Sequence, residues 1–499
     1  MTPRPLDPGP PSSASSAVVP ASAGPSSSVA SSPSRSAATK QRARLVGVDA
    51  ARGVSLLGMI TLHALYESDA AGNPTWSATV FSGRAAAAFA LLAGVGVTLA
   101  TGRRPVRLAN ARATVALLAV RALAIGVIGL LLGAADSVLG AVILAYLAMV
   151  FLLAIPLVFL PTWAVAAIGA TLLTAGPAGA HLLLPHLPEP ELVNPTFAWL
   201  FDDPVGLVTE LTLTGIYPSP AWLAYMSVGV VIGRLDLGRA RVAVTLFAGG
   251  TALAVASHIA SSFLLHRHGG LTRIWAAQPA SGLTVDQTWR LLKLGDNGRT
   301  PSSTWWWLAI DAPHTSTPFD LIGTTGTAVA VLGLLLLADQ VRHRVARRLA
   351  TAVLVPLAAA GSTTLTFYTA HVLFINSSFD TYSATTGCLA QLIAVVLIAL
   401  AMRATAARGP LEAIVVALAT QARRTAAPRR PAAVAGPVAS AEAAVTIPAQ
   451  RGKAAAPPAV RSEAVASGSA APADTAATPP AARDAAARRD RPGTTPPRS

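Results

Sequence analysis

The stretch RLVGVDAARGVSLLGMITLH, residues 44–63, decides the class of fold because it places ionisable groups inside an apolar segment of spanning length. Arg52 and His63 lie eleven positions apart, about three turns of an α-helix, so both side chains fall on one face. At 1.5 Å per residue they are separated by roughly 16 Å along the helix axis. Asp49, one turn before Arg52, is expected to form an i, i+3 ion pair with its guanidinium. Ionisable groups within a membrane segment are candidates for function, because burying them in lipid is costly.

The composition of the whole chain is that of a polytopic membrane protein. Of its 499 residues, 53% are hydrophobic and only 12% are charged, and the mean hydropathy is +0.53. A soluble protein of this size could not bury so much apolar surface. The single cysteine, Cys388, excludes an intrachain disulfide framework and a cysteine metal cluster. No phosphate loop or dinucleotide fingerprint follows a plausible strand, so nucleotide hydrolysis and hydride transfer have no support.

Apolar segments of spanning length follow one another along the chain, which predicts an all-α, polytopic integral membrane protein with about ten transmembrane helices. They lie near 45–66, 78–100, 114–134, 137–156, 162–184, 220–237, 242–265, 319–338, 351–375 and 386–403. If each crosses once, the arginine-rich connections after the second, sixth and eighth segments fall on the side of both termini. The excess of Lys and Arg in these connections predicts that both termini are cytoplasmic. The long loop 266–317 on the opposite side, with its Trp305–Trp307 run, is interpreted as an interfacial lid.

The chain divides into one membrane domain, residues 42–417, and two tails. Residues 1–41 are rich in Pro, Ser and Ala, and residues 418–499 are a basic Ala/Pro-rich segment, so both are predicted to be disordered cytoplasmic tails. Residues 1–44 carry +4 and residues 423–499 carry +7, which together make +11 of the net +15. With little aromatic content to stack on bases, this charge fits an anionic membrane surface and not nucleic acid.

The opening helix resembles that of the bacterial proteins related to heparan-alpha-glucosaminide N-acetyltransferase. An Arg or Lys separated by ten residues from a His is also the hallmark of the wider transmembrane acyltransferase superfamily, which includes the acyltransferase-3 proteins. The strings SGR at 82–84, FALLAG at 89–94 and PHTSTPFDLIGTTG at 313–326 resemble later motifs of the same group. The strings GSTTLTFY at 361–368 and GPLE at 409–412 resemble the end of the related domain of unknown function 418. The resemblance implies a multi-pass protein of the bacterial inner (plasma) membrane.

The resemblance implies acyl transfer with acyl-CoA, most simply acetyl-CoA, as co-substrate and no permanently bound cofactor. Lysosomal members of the group carry a His in the loop after the first helix, and the loop 67–77 has none, so the catalytic role passes to His63 through the Arg-to-His pattern. His63 is expected to act as general base, or to take the acyl group as nucleophile. Arg52, with Asp49 orienting it, and the loop residues Arg103 and Arg104 are expected to hold the CoA phosphates. The structural alternatives to these roles are an interfacial anchor for Arg52 and a hydrogen-bonded core histidine for His63.

Five further residues are candidates for the cavity or the acceptor site, and each has a structural alternative. Arg84 could steady an oxyanion or pair with a nearby acid. His314 and Asp320 could bind acceptor, or could serve loop packing and helix capping. Tyr368 and His371 could complete the cavity, or could join neighbouring helices. The pair His266 and His268 has no supporting acidic or cysteine cluster, so no metal site is predicted.

The residues and the resemblance together predict a membrane acyltransferase that moves an acyl group from cytoplasmic acyl-CoA to an extracytoplasmic, cell-envelope glycan or other polar acceptor. Its partners would be membrane lipids, acyl-CoA and that glycan. A non-catalytic transporter or export factor using the same polar cavity is the alternative, and a structural scaffold is a third. Loss of turnover on replacing His63 would distinguish the enzyme from both.

Overall fold

A computed structural model describes residues 45–137 and 139–427, and the regular structure in these ranges is helical. Apart from helices, these residues contain one isolated β-bridge, between Ser68 and Pro74. The all-α fold class is therefore confirmed for the part of the chain that the structure describes. The predicted tail over 1–41 and all of the second tail from residue 428 onward lie outside the described residues.

Eighteen α-helices follow one another in this part of the chain. The first nine are α1 (Val46–Ala64), α2 (Trp76–Phe81), α3 (Arg84–Thr101), α4 (Ala111–Leu132), α5 (Leu144–Leu153), α6 (Thr162–Thr174), α7 (Gly176–Leu183), α8 (Phe197–Asp202) and α9 (Pro204–Thr209). The others are α10 (Ser219–Arg234), α11 (Ala240–His266), α12 (Gly270–Ala276), α13 (Val285–Leu294), α14 (Pro318–Asp339), α15 (Arg344–Gly361), α16 (Thr364–Ile375), α17 (Ala384–Ala404) and α18 (Pro410–Ala426). A π-helical turn, Glu210–Thr214, follows α9, and a 3-10 turn, Trp305–Ala309, precedes α14.

Several of these helices are long and apolar enough to cross a membrane, so this is a multi-pass membrane protein. By length and composition there are 5 such spans, or up to 8 if each of three bent helix pairs counts as one. The bent pairs are α6 with α7, the α9 segment with α10, and α15 with α16. The predicted spans at 45–66 and 137–156 are not among these eight. The last helix, α18, runs past the predicted domain boundary at residue 417 and ends at Ala426.

The predicted spans 45–66 and 137–156 are missing from these eight for different physical reasons. Within the predicted span 137–156, residues 139–143 are not helical, and α5 is only 10 residues long, which is short of the roughly 20 that a span requires. In contrast, α1 is a full-length helix that carries polar and charged residues and packs against α3, α14, α15, α16 and α17. Its surface is covered by protein, so it need not be uniformly apolar. Gly53 and Gly361 permit the α1–α15 approach, because a Cβ on either would overlap backbone atoms of the other helix.

The 73° bend between α15 and α16 is held from outside by α18. The carboxylate of Glu412 accepts the backbone N–H of Leu365 at 2.7 Å and that of Thr366 at 3.2 Å. It therefore caps the first turn of α16, where backbone N–H groups have no partner within the helix. The strings at 361–368 and 409–412 thus meet in space, and their contact sets the direction of α16.

The segment 267–317 folds over the end of the bundle at which α1 ends, and we call this end the loop end. Its helices α12 and α13 and the turn Trp305–Ala309 pack on a small separate core. That core consists of Ile274, Leu291, Trp307 and Ile310. Trp307 is fully buried, whereas Trp305 is 54% exposed, so the tryptophan run divides between core and surface.

Candidate active site

A cavity of about 1070 Å³ lies at the loop end of the bundle. Its walls come from the end of α1, from α13, α16 and α17, and from the segment 139–143. A cavity of this size suits a small-molecule site, since such sites measure roughly 300–1,000 Å³. His63, His314 and Tyr368 line it, so three of the residues selected from the sequence are brought together here.

A chain of hydrogen bonds runs from His63 into the protein. His63 Nδ1 lies 3.1 Å from His371 Nε2, and His371 Nδ1 lies 2.6 Å from Gln391 Oε1. The two imidazole rings are stacked, with centroids 5.3 Å apart and an interplanar angle of 14°. Three helices, α1, α16 and α17, therefore meet through side chains that are 308 and 20 residues apart in the sequence.

These contacts determine which nitrogen of His63 can accept a proton. The amide oxygen of Gln391 can only accept, so His371 Nδ1 carries a hydrogen and donates it. With both rings neutral, His371 Nε2 then holds a lone pair and accepts from His63 Nδ1–H. The lone pair of His63 is thereby assigned to Nε2, which has no hydrogen-bond partner in residues 45–137 and 139–427. A positioned imidazole with an unshared lone pair at the wall of a cavity can act as a general base.

Two tyrosine hydroxyls face the same short stretch of backbone beside His63. Tyr217 Oη lies 3.4 Å and Tyr368 Oη 3.5 Å from the carbonyl oxygen of Ala141. The preceding residue, Gly140, packs against the imidazole: a Cβ there would lie 3.1 Å from His63 Nδ1. A side chain at position 140 would therefore press on the ring, and His63 would have to shift by a few tenths of an ångström to admit it.

His314 forms part of the cavity wall behind Tyr217. Its Nε2 accepts the backbone N–H of Gly83 at 3.2 Å, and its ring lies edge-on to Tyr217 with centroids 6.0 Å apart. Burial lowers the pKa of His314 to about 4, so the ring is neutral near pH 7. Its φ of 56° lies in the left-handed region, which costs energy for a residue other than glycine and is found at constrained sites. These contacts indicate that His314 holds the cavity wall in place.

The rim of the cavity is polar and carries charge of both signs. Glu67, Arg290 and Asp380 are exposed side chains on the rim, and Asp296 is partly buried. Burial raises the pKa of the Asp296 carboxyl. Gln287 and Asn297 add amide groups. A rim of this kind offers hydrogen-bond donors and acceptors to a polar, polyhydroxylated molecule.

Arg52 lies away from this cavity. It forms the expected ion pair with Asp49, with Nη1 3.1 Å from Oδ1, and its guanidinium packs on Gly96 of α3. Neither residue lines the cavity, and Leu56 and Ile60, which lie between Arg52 and His63 on α1, are fully buried. Arg52 and His63 therefore share a helix face but do not line one continuous cavity, because buried apolar side chains lie between them on α1.

The other predicted phosphate-binding residues also lie outside the cavity. Arg103 and Arg104 follow the end of α3, at the opposite end of the bundle from His63, and do not line it. A cation that was not selected from the sequence, Arg121, lies in the middle of α4. It stacks on Phe151 at 5.4 Å from the ring centroid, and its Nε is buried without a partner in the described residues. Its guanidinium is close enough to Arg52 for the two positive charges to repel each other.

Arg84 and Asp320, both predicted to contribute to the cavity or the acceptor site, do not line the cavity. Arg84 Nη1 donates to the carbonyl oxygen of Thr79 at 2.7 Å. The carboxylate of Asp320 accepts the backbone N–H groups of Thr315 and Ser316, each at 3.1 Å. Both residues stabilise chain turns next to helix N-termini. They therefore have a structural role, which was the alternative to binding an oxyanion or the acceptor.

Gln391 and Arg121 were not selected from the sequence, although each stands out there as a polar residue in an apolar span. Gln391 is an isolated amide in the predicted span 386–403, and Arg121 is an isolated cation in the predicted span 114–134. A single polar group in an otherwise apolar span indicates a partner within the protein. The sequence does not identify that partner, since the contact depends on how helices pack.

Residues 44–267 match the family model of the catalytic region of heparan-alpha-glucosaminide N-acetyltransferase. The match includes His63, Gly140 and Tyr217, and ends before the helices that carry Tyr368, His371 and Gln391. It confirms the resemblance of the opening helix to this acetyltransferase group. No curated protein matches the chain. The resemblance of the end of the membrane domain to the domain of unknown function 418 stays a prediction.

Proposed function

We propose that this protein is a membrane acyltransferase that moves an acyl group, most simply acetyl, from acyl-CoA to a hydroxyl or amine of an extracytoplasmic glycan or similar polar acceptor. The observation that carries the proposal is the hydrogen-bonded chain from His63 through His371 to Gln391 at the wall of the 1070 Å³ cavity, from which the lone pair on His63 Nε2 is inferred. The family match to an acetyltransferase supports the same reaction class.

In the proposed reaction, His63 Nε2 takes the proton of the acceptor as the acceptor attacks the thioester carbon. A C–O or C–N bond forms, the C–S bond breaks, and the proton passes from the imidazolium to the departing thiolate of CoA. While His63 is charged, its Nδ1–H bond to His371 becomes charge-assisted and therefore stronger. Gln391 contributes by holding His371 as an acceptor throughout. Positioned general acid–base groups of this kind contribute roughly 10²- to 10⁴-fold to a rate.

The proposed orientation places the loop end outside the cytoplasm, as the distribution of Lys and Arg indicates. Acceptor then enters the cavity past its polar rim, and the CoA phosphates bind at the opposite half of the bundle. Arg52 and Arg121 supply positive charge there, and Arg103 and Arg104 supply it at the mouth. Leu56 and Ile60 close the route along α1 between Arg52 and the cavity. Delivery of the acyl group from the Arg52 side therefore requires α1 to separate from the helices packed against it.

The proposal is tested with purified protein, radiolabelled acetyl-CoA and a set of cell-envelope glycans. Wild type should transfer label to an acceptor, and His63→Ala should lose roughly 10²- to 10⁴-fold in kcat while remaining folded. His258→Gln is the matched control, because His258 lies on α11, is 74% exposed and does not line the cavity. Transfer by His63→Ala at the wild-type rate would exclude His63 from the chemistry. Absence of acetyl-CoA binding by wild type, together with movement of a polar solute into vesicles, would favour the transporter.

A further inference from the structure

Two hydroxyl groups in the cavity share one weak acceptor. The oxygens of Tyr217 and Tyr368 lie 3.4 and 3.5 Å from the Ala141 carbonyl oxygen, whereas O–H···O hydrogen bonds are usually about 2.7–2.8 Å long. The carbonyl therefore holds both protons loosely. An oxygen with a full negative charge is a much stronger acceptor, and one placed between the two hydroxyls would attract both protons.

The hydroxyls are next to the proposed base. They approach Ala141, and His63 packs on the adjacent Gly140. All of these residues line the same cavity. Residues 140–141 thus bring the imidazole and the two hydroxyls to one stretch of the cavity wall.

Both tyrosines are held before any substrate arrives. The ring of Tyr217 lies edge-on to Tyr146, Trp222 and His314, with centroids 5.3, 5.0 and 6.0 Å away. Tyr368 is 1% exposed, and its oxygen accepts the backbone N–H of Ile143 at 3.3 Å. Because that oxygen is already accepting, its own proton is free to be donated, and the incoming N–H polarises it further. Donors fixed in advance stabilise a developing charge without the cost of reorienting them.

We propose that the hydroxyls of Tyr217 and Tyr368 form the oxyanion hole of this enzyme, an assignment that rests on the proposed acyl transfer. As the acceptor adds to the thioester carbonyl, the electron pair of the C=O bond moves onto oxygen, and both hydroxyls donate to that oxygen. When the tetrahedral intermediate collapses, the pair returns, the C–S bond breaks, and the thiolate leaves with the proton held by His63. Arg84, the other oxyanion candidate, is bonded to Thr79 and does not line the cavity.

The test compares Tyr217→Phe and Tyr368→Phe with wild type in the labelled acetyl-CoA assay. Each variant removes one oxygen and keeps the ring, and should lower kcat by roughly 10²- to 10³-fold, the usual loss of one oxyanion donor. Binding of acetyl-CoA should change by less than about threefold, since the contact strengthens only in the transition state. Tyr225→Phe is the matched control: Tyr225 is buried and bonded to Thr324 but does not line the cavity. It should leave kcat unchanged.

A second replacement separates catalysis from packing. Introducing 3-fluorotyrosine at position 217 or 368 keeps the hydroxyl and should retain kcat within about tenfold of wild type, whereas phenylalanine should not. Wild-type kcat in both phenylalanine variants would overturn the assignment and leave His63 catalysis standing. Equal losses for phenylalanine and fluorotyrosine would also overturn it, since the hydroxyl would then not be the group that matters. If wild type itself neither binds acetyl-CoA nor transfers label, the proposed function fails and the assignment fails with it.

Discussion

Lowering the pH from 7 to 5 should destabilise the fold by about 2 kcal/mol through His314 alone, because the folded protein holds this ring neutral. The ring is partly buried in the cavity wall, where Nε2 accepts the N–H of Gly83. A proton on Nε2 would break that bond and place a charge among buried groups. Between pH 7 and pH 5, His314 therefore binds a proton in the unfolded chain but stays neutral in the folded protein.

The sign and size follow from the two pKa values. An unfolded histidine titrates near pH 6.5, and burial lowers the pKa of His314 to about 4 in the fold. Between these values the unfolded state binds more protons, so the free energy of unfolding falls as the pH falls and becomes constant below about pH 4. At about 1.4 kcal/mol per pH unit, the whole window corresponds to about 3 kcal/mol, of which about 2 kcal/mol is lost by pH 5.

The assay is the free energy of unfolding in mixed detergent micelles at pH 7 and pH 5, for wild type and His314→Asn. Asparagine does not titrate and tolerates the left-handed φ of this position, so this variant should lose about 2 kcal/mol less than wild type on acidification. His186→Asn, which replaces an exposed histidine outside the cavity wall, controls for the substitution itself. Equal losses by His314→Asn and wild type would refute the reasoning, because the buried neutral state would then contribute nothing.

Three further perturbations test the hydrogen-bond chain, the α16 cap and the cavity. Gln391→Leu leaves His371 Nδ1–H without an acceptor, so the tautomers of His371 and His63 are no longer fixed and kcat for acetyl transfer should fall, by at most the roughly 10²- to 10⁴-fold that a positioned general base contributes, while Gln391→Glu keeps the acceptor and loses less. An unchanged kcat in Gln391→Leu would show that the hydrogen-bond chain from His63 to Gln391 does not contribute to catalysis. Glu412→Ala should lower the free energy of unfolding by about 1–2 kcal/mol through loss of the cap, and Glu412→Gln by less; equal stability of all three proteins would contradict the capping role. Cys388, the only cysteine of the chain, lines the cavity, so a small thiol reagent should modify it in folded protein and bound acetyl-CoA should slow the reaction. Modification only after unfolding would show that the cavity is closed to solvent.

The helical fold was predictable from the sequence, and His63 could be selected from it as a candidate, because both depend on local patterns. Apolar runs of spanning length identify helices, and helical periodicity predicts the Asp49–Arg52 ion pair that the structure contains. The same reasoning counted residues 45–66 among the apolar spans, although α1 carries polar and charged residues and packs against protein on several sides. Hydropathy describes what a segment contains and does not reveal what covers it.

The cavity could not be predicted, because it depends on which side chains fill the space between helices. Periodicity places Arg52 and His63 on one face, yet the burial of Leu56 and Ile60 along α1 is a packing result. The contact between His63 and His371 spans 308 residues, and no local pattern relates them. Arg84 and Asp320 illustrate the opposite problem: polar residues at helix ends satisfy backbone groups as often as they bind ligands.

The central claim, that His63 Nε2 accepts the proton of the acceptor, is tested most directly by chemical rescue. Transfer of label from acetyl-CoA is measured for wild type, for His63→Ala, and for His63→Ala with added imidazole, which the cavity of about 1070 Å³ can admit. The account predicts that His63→Ala loses roughly 10²- to 10⁴-fold in kcat and that imidazole restores transfer in a saturable manner. Transfer by His63→Ala at the wild-type rate without imidazole would contradict it.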